Sequence, residues 1–245
     1  MRTRILCPVC GSDQARKAQE KNGYTIVACA GCGLRFVNPQ PDNDEMFGSY
    51  QEFYVKRYAV KRRKKMRDAW REFARITRCA TPGSPPRLLD IGCGCGFLLS
   101  VARRRGWDAV GIDLCGWQVD YARRELGVEA VHGRFPDDLP EGAPFDVITM
   151  FDVLEHLSDP LAGLRRCYEA LARGGTLIVG TPDGGHPRAR QMGAQWPHLC
   201  PPQHLFYFTP EHLASLAEKA GFVSRGLCLR PPWRDTFKAV FVRPA

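Results

Sequence analysis

Read by its apolar and polar positions, the chain alternates short apolar runs with stretches whose apolar residues recur three and four apart. The run at 87–91 is followed by Gly92, Gly94 and Gly96, then by a helical pattern that opens at Phe97 and closes near Arg105 and Gly106. A second strand is predicted over 109–112, a helix over 116–126, and strands over 128–131 and 145–151. A helix over about 158–172, a strand over 176–180 and a helix from Pro210 to Gly221, capped by Thr209, complete the series. Strand and helix alternate throughout, which predicts an α/β, doubly wound parallel sheet with helices on both faces. Two last strands, about 222–229 and 236–242, have no helix between them and must pair antiparallel.

Upstream, residues 23–28 alternate like a strand, and 52–78 are helix formers. There Met66, Ala69, Trp70, Phe73 and Ile76 keep the i, i+3, i+4, i+7 spacing of a stripe that packs on a body. The Pro- and Gly-rich stretch at 81–86 breaks the chain before the first strand of the sheet.

Composition changes this picture little: 245 residues, 44% hydrophobic and 25% charged, describe a globular chain and exclude a collagen-like, coiled-coil or disordered one. Such a length supports one sizeable core plus a small appendage. No apolar run approaches the ~18 residues of a membrane span, and the first residues lack an apolar signal core. The expectation is a soluble, cytoplasmic protein without membrane partners. The net charge of +9 is local, because residues 56–78 hold eleven basic residues against Asp68 and Glu72 and account for all of it.

Four of the eleven cysteines stand apart by spacing: Cys7 and Cys10, then Cys29 and Cys32, form two C-x2-C pairs. Each pair makes a turn that aims both sulfurs into one hollow, and two pairs supply the corners of a tetrahedron. The segment has too few apolar side chains to order without a staple, so a structural zinc is expected. Four sulfurs close the coordination sphere and leave no place for substrate. A small zinc ribbon is the economical picture.

The glycines after the first strand let the backbone approach a ligand and point a helix N-terminus at it. Asp90 ends that strand and Asp113 ends the next, twenty-three residues on, which places both carboxylates at one edge of a parallel sheet. A carboxylate so placed suits ribose hydroxyls. The segments LLDIGCGCG, VGIDLC and FDVITMFDVLEHL resemble motifs of the class I S-adenosylmethionine-dependent methyltransferases. The resemblance covers Arg87 to the C-terminus and implies a seven-stranded Rossmann-like sheet closed by an antiparallel hairpin. It further implies S-adenosylmethionine as cofactor. Its methionine end would lie near Asp90, Gly92, Cys93, Gly94 and Gly96, and against Phe151 and Asp152. Its ribose would meet Asp113, and its adenine Leu114, Arg134 and Phe135.

After the fourth strand, Phe151-Asp152-Val153-Leu154 replaces the Asn/Asp-Pro-Pro-aromatic tetrad of enzymes that methylate base nitrogens. FDVLEHLSDP, GTPDG and HLFYFTPEHL look instead like the small-molecule O- and C-methyltransferases that include quinone-biosynthesis enzymes. A hydroxyl or enol acceptor must lose a proton, and His156 and His204 are the candidate bases, with His186 and His198 in the same insertion. Trp196 and the run 205–208 would wall an apolar pocket or fill core. The resulting partition is a zinc ribbon at 1–40, a basic helical linker or cap at 41–86 and the methyltransferase domain at 87–245, acting on a small-molecule acceptor. The rival reading is an RNA methyltransferase that docks its nucleic acid on the ribbon and basic helix. A non-enzymatic zinc-ribbon nucleic-acid binder is a weaker alternative, because it leaves the cofactor motifs unexplained.

Overall fold

The computed structural model describes residues 2–42, 45–46, 62–80, 85–229 and 233–245; residues 52–61 of the expected basic helix lie outside the described residues. The chain begins with β1 (Ala15–Lys21), β2 (Tyr24–Cys29) and β3 (Arg35–Val37). β1 has no apolar alternation and is largely exposed. It forms because Asn22 and Gly23, both at positive φ (53° and 75°), close a tight hairpin that pairs it antiparallel with β2. That Asn-Gly pair was the available sequence signal for a strand the apolar pattern does not reveal.

The helix α1 (Arg62–Cys79) buries Ala69, Phe73 and Ile76, with Met66 and Trp70 partly covered, so the expected stripe does face the body. Phe73 meets Trp107 edge-on at 5.1 Å between ring centroids. Then follow β4 (Arg87–Ile91), α2 (Phe97–Arg104), β5 (Asp108–Asp113), α3 (Gly116–Leu126), β6 (Glu129–His132) and β7 (Phe145–Phe151). The chain continues with α4 (Pro160–Ala170), β8 (Leu171–Pro182), the short α5 (Pro187–Met192) and β9 (Phe206–Tyr207). It ends with α6 (Pro210–Lys219), β10 (Val223–Leu229) and β11 (Thr236–Val242).

Seven strands form one sheet in the order β10-β11-β8-β7-β4-β5-β6. From β8 to β6 the neighbours are parallel, while β11 runs antiparallel to both β8 and β10. This is the expected doubly wound sheet with its closing hairpin.

β8 is longer than expected, because Gly174 and Gly175 do not break it. Gly174 donates to the Arg243 carbonyl and Arg243 donates back to Gly175, so the end of the chain continues the sheet across the glycine pair. The Arg243 guanidinium also binds the carbonyls of Tyr168 and Leu171 at the end of α4, which stops at Ala170 and not at 172.

The second sheet has the order β1-β2-β3-β9. Its last strand comes from the far end of the sequence, with Phe36 opposite Phe206 and Arg35 opposite Tyr207. One core contains Ile26, Phe36 and Val37 of the ribbon together with Trp196, Phe206 and Phe237, so residues 1–40 share sheet and core with the C-terminal body.

Candidate active site and metal centre

The C-terminal ends of β4, β5 and β7 carry the polar groups of a cleft, at the edge where doubly wound sheets hold their ligands. Asp90 is 5% exposed, and the register of β4 against β7 sets it opposite Thr149, whose hydroxyl donates to it at 2.7 Å. Burial, opposed by that bond, pushes its carboxyl up to about 7.

Beyond Asp90 the loop turns on Gly92, Gly94 and Gly96, all left-handed with φ of 73°, 53° and 74°. A Cβ at Gly92 would collide with Val153, and one at Gly94 would lie 2.7 Å from the Gln118 amide oxygen. Asp113 closes this loop: its two oxygens accept the N–H groups of Gly94 and Cys115, each at 2.8 Å. Burial raises its carboxyl despite those bonds. A carboxylate has about four lone-pair sites, so Asp113 can order the loop and still receive a ribose hydroxyl.

Three cavities run along this edge. The first, of about 90 Å³, is lined by Asp113, Leu114, Arg134 and Phe135, and also by Asp152 and His156. The second, of about 320 Å³, lies between Asp90, Gly92, Cys93 and Gly94 on one side and Lys65 and Glu72 of α1 on the other. The third, of about 310 Å³, is lined by Glu72, Arg75, Phe151, Arg234, Asp235 and Lys238. Asp152 borders all three; it holds a positive φ of 54° and its N–H donates to the Gly180 carbonyl.

Of the cofactor residues expected from sequence, Asp90, Gly92, Cys93, Gly94, Asp113, Leu114, Arg134, Phe135, Phe151 and Asp152 line this series. Gly96 lines none of the three; it stands where a Cβ would come within 2.8 Å of Ala122 and Val128, so its part is close packing of the loop on α3. Sequence reasoning missed Lys65, Glu72 and Lys238. The apolar stripe of the basic helix packs on the body, and beside it Lys65 and Glu72 face the cleft. The one hint was that Glu72 is among only two acids in that basic segment.

The candidate bases, His156 and His204, are brought together edge to face, with ring centroids 4.6 Å apart. Nδ1 of His156 donates to the Gln203 carbonyl at 2.8 Å, and burial lowers the ring to about 4. Burial and the neighbouring imidazoles also hold His204 well below its ordinary value. His156 lines the first cavity, beside Asp113 and Leu114, and His204 lines none of the three. Neither lines the second or third cavity, and burial leaves both rings weaker bases than a free imidazole.

Glu155, fully buried and pushed up to about 8 by burial and by Asp152, accepts from Thr181 and lies beside this pair. Glu155, His156 and His204 bring one ligand atom each within 4.8 Å of one another, a donor set that could hold a divalent ion. His198 stacks on His204 at 6.2 Å and lies 3.7 Å from Asp235, and His186 caps α5 by accepting from Arg188. Trp196 is fully buried, its indole N–H donating to Asp235 at 2.7 Å.

At the other end of the molecule, the sulfurs of Cys7, Cys10, Cys29 and Cys32 all lie within 4.8 Å of one another. Cys7 and Cys32 are 3.5 Å apart and Cys10 and Cys29 3.4 Å apart, close to the ~3.8 Å edge of a tetrahedron with ~2.3 Å zinc–sulfur bonds. Backbone N–H groups of both knuckles point at the sulfurs, those of Val9 and Cys10 at Cys7 and those of Gly31 and Cys32 at Cys29. These residues fit a structural zinc. His212 links the knuckle to the body: Nδ1 accepts from Thr209, so Nε2 donates to the Cys32 carbonyl at 2.9 Å.

Comparison with known proteins gives the same direction. A family model described as a methyltransferase domain matches residues 58–225. A ubiquinone biosynthesis O-methyltransferase of Cereibacter sphaeroides is 34% identical over 162 residues, 61% of this chain and 65% of the relative, so the match spans just under two thirds of that curated protein. Among solved structures, a TehB-like SAM-dependent methyltransferase from Corynebacterium glutamicum superposes with a TM-score of 0.57 at 21% identity, over 80% of this chain and 99% of that one. An O-methyltransferase of neocarzinostatin biosynthesis, solved with S-adenosyl-L-homocysteine and 1,4-dihydroxy-2-naphthoic acid, gives 0.52 at 25% identity, over 66% of this chain and 50% of its own.

Proposed function

The chain belongs to the class I S-adenosylmethionine-dependent methyltransferases, and from that premise we propose that it methylates a hydroxyl of a small-molecule acceptor. The observation that carries the reading is the run of cavities meeting at Asp152, with the glycine loop on one side and a third cavity of about 310 Å³ on the other. That volume suits a small molecule. The O-methyltransferase names of the relatives favour oxygen over carbon as the attacking atom.

In this reading, Asp90, Gly92, Cys93 and Gly94 hold the methionine end, with Phe151 and Asp152 beside it. Asp113 takes the ribose, and Leu114, Arg134 and Phe135 enclose the adenine. When bound, the cofactor supplies an electrophilic methyl group. The protein's own contribution is to hold the acceptor in line, worth about 7 to 11 kcal/mol for well-oriented reactants, and to remove its proton. Cys7, Cys10, Cys29 and Cys32 hold a zinc that orders the ribbon and takes no part in the chemistry.

The test is to offer labelled S-adenosylmethionine with a panel of phenols, enols and RNAs. Label in a small hydroxyl compound is the expected result. Label in RNA alone would overturn the small-molecule reading, and absence of S-adenosylhomocysteine binding by calorimetry would overturn the cofactor assignment.

A further inference from the structure

The wall between the second and third cavities is made by side chains from opposite ends of the fold. Glu72 of α1 and Lys238 of β11 line both cavities, and they meet in a 2.6 Å ion pair with side chains only 16% and 17% exposed. The ammonium of Lys238 lies 3.7 Å from the centre of the Phe151 ring, a cation–π contact that fixes it at the end of β7. Lys238 can lie there because Gly180 is its cross-strand partner; a Cβ at Gly180 would come within 3.0 Å of the Phe151 ring and 3.2 Å of the Lys238 side chain. Glu72 is steadied from its other side by Arg75 at 3.1 Å.

We propose that this pair is the ionisation site of the acceptor: Lys238 seats an acidic hydroxyl, phenolic or enolic, as its oxyanion, and Glu72 takes up the proton. The inference rests on the methyltransferase reading and deepens it by assigning the groups that prepare the acceptor. In the step, the acceptor O–H bond breaks heterolytically, its electron pair stays on oxygen, and the proton passes to a carboxylate oxygen of Glu72. Lys238 exchanges its carboxylate partner for the new oxyanion, so the total charge of the wall is unchanged and no further reactant is needed.

The surroundings suit this exchange. Facing the pair are Lys65, Asp68 and Arg75 from α1, Asp90 and Asp152 from the sheet, and Arg234 and Asp235 from the segment before β11. The Cys228 thiol on β10 is also within electrostatic reach of both. Cations and acids are interspersed around the pair, so the acceptor oxyanion meets one ammonium and not a field of a single sign. Burial of the pair strengthens that match, since charges attract more strongly out of bulk water.

The test uses the full chain loaded with S-adenosylhomocysteine and 4-nitrophenol as probe, because the yellow colour of the ionised phenol reports its state without turnover. Bound to the wild type, the phenol should ionise at a pH lower by about 1 to 3 than in water, the effect of an opposite charge a few ångströms away. Lys238→Met should abolish this shift and Lys238→Arg should keep it, which separates lost charge from lost folding. Glu72→Gln should leave bound 4-nitrophenolate in place but slow labelled methyl transfer to phenols that are un-ionised in solution at the assay pH by about 10²-fold or more. Equal ionisation in wild type and Lys238→Met, failure of the wild type to bind the probe, or a shift lost in His156→Gln instead, would overturn the proposal. Failure of S-adenosylhomocysteine to bind would strike the cofactor assignment alone, since the probe still reads the pair on the unloaded chain.

Discussion

The two sheets of this protein reach order by different means. In the seven-stranded sheet, β7 and β8 bury most of their residues, and the strands carry enough apolar surface to specify themselves. In the four-stranded sheet β1 is exposed along most of its length, β3 has three residues, and the closing strand is borrowed from Phe206–Tyr207. Four thiols and a shared core make up the difference. The ribbon is consequently a brace: Lys21 binds the Ala194 carbonyl, Asn22 that of Pro201, Arg35 that of Gly184, and Val37 that of Leu205. All four contacts fall on the segment between β8 and α6, whose Trp196 holds Asp235 at the edge of the third cavity. The cysteine ribbon thus supports the segment that holds Asp235 at the third cavity.

The largest effect should come from breaking that brace. Structural zinc sites in small modules contribute about 10 to 16 kcal/mol of binding free energy that is also folding free energy. Cys29→Ser, or chelation, should remove one zinc per chain by elemental analysis. Hydrogen exchange should then quicken in β1 to β3 and in residues 184–207 while β4, β5 and β7 stay protected. Cofactor binding should survive and methyl transfer should fall. Metal content near zero in the untreated protein, or exchange quickening equally in both sheets, would break the comparison.

The second prediction belongs to the seven-stranded sheet. Asp90 is pushed up to about 7, against an ordinary value near 3.9. The folded chain therefore holds this proton more strongly than the unfolded one. Its contribution to stability is full below about pH 4 and fades as the pH rises towards 7. The size is about 4 kcal/mol at most, at ~1.4 kcal/mol per tenfold shift. Asp90→Asn keeps an acceptor for Thr149 and cannot ionise, so the difference in unfolding free energy between variant and wild type should grow in the variant's favour from pH 4 to 7. A constant difference would show that Asp90 is ionised throughout.

A smaller effect is expected at Asp113. Its two bonds to Gly94 and Cys115 join the ends of β4 and β5, and Asp113→Ala removes both along with the proposed ribose contact. Charged hydrogen bonds of this kind are worth about 1.5 to 3 kcal/mol, so calorimetry should show S-adenosylhomocysteine binding weakened by roughly ten- to a hundred-fold or slightly more. Unchanged affinity would mean that the loop is ordered by its glycines alone.

What could be read from sequence divides along the same line. The glycine loop, Asp90 and Asp113 were legible because each is placed by residues within one strand-loop-helix unit, where apolar period and turn chemistry speak locally. The thiol quartet was legible through its spacing. β9 was not, because two residues in an aromatic run acquire a strand only when β3 lies beside them. The partnership of Glu72 with Lys238 was equally hidden, since nothing local to α1 or β11 specifies that the helix crosses the cleft at the level of Gly180. The low basicity of His156 and His204 was hidden as well, because burial, which lowers it, is a property of the whole fold.

The smallest effect should be found on the outer face of α1, where the sequence raised the possibility of RNA docking. The fold has spent much of that charge: Lys65 faces the cleft, Arg62 lies 3.8 Å from Glu125, Arg71 3.6 Å from Asp68, and Arg75 is held by Glu72. Arg63, Lys64 and Arg67 remain exposed in the first two turns of the helix, as does Arg78 in its last. If they served a polyphosphate chain, affinity would fall with salt along a log–log slope that grows by about 0.7 to 0.9 for each phosphate neutralised. If they only keep the face solvated, replacing all three by Ser should change cofactor affinity and small-acceptor turnover by less than about twofold, the range of surface substitutions worth within ~0.5 kcal/mol. Turnover measured at low and high salt on both proteins separates the two. A steep slope in the wild type that flattens in the triple variant would return the outer face to function, and it would make α1 a helix with a task on each side.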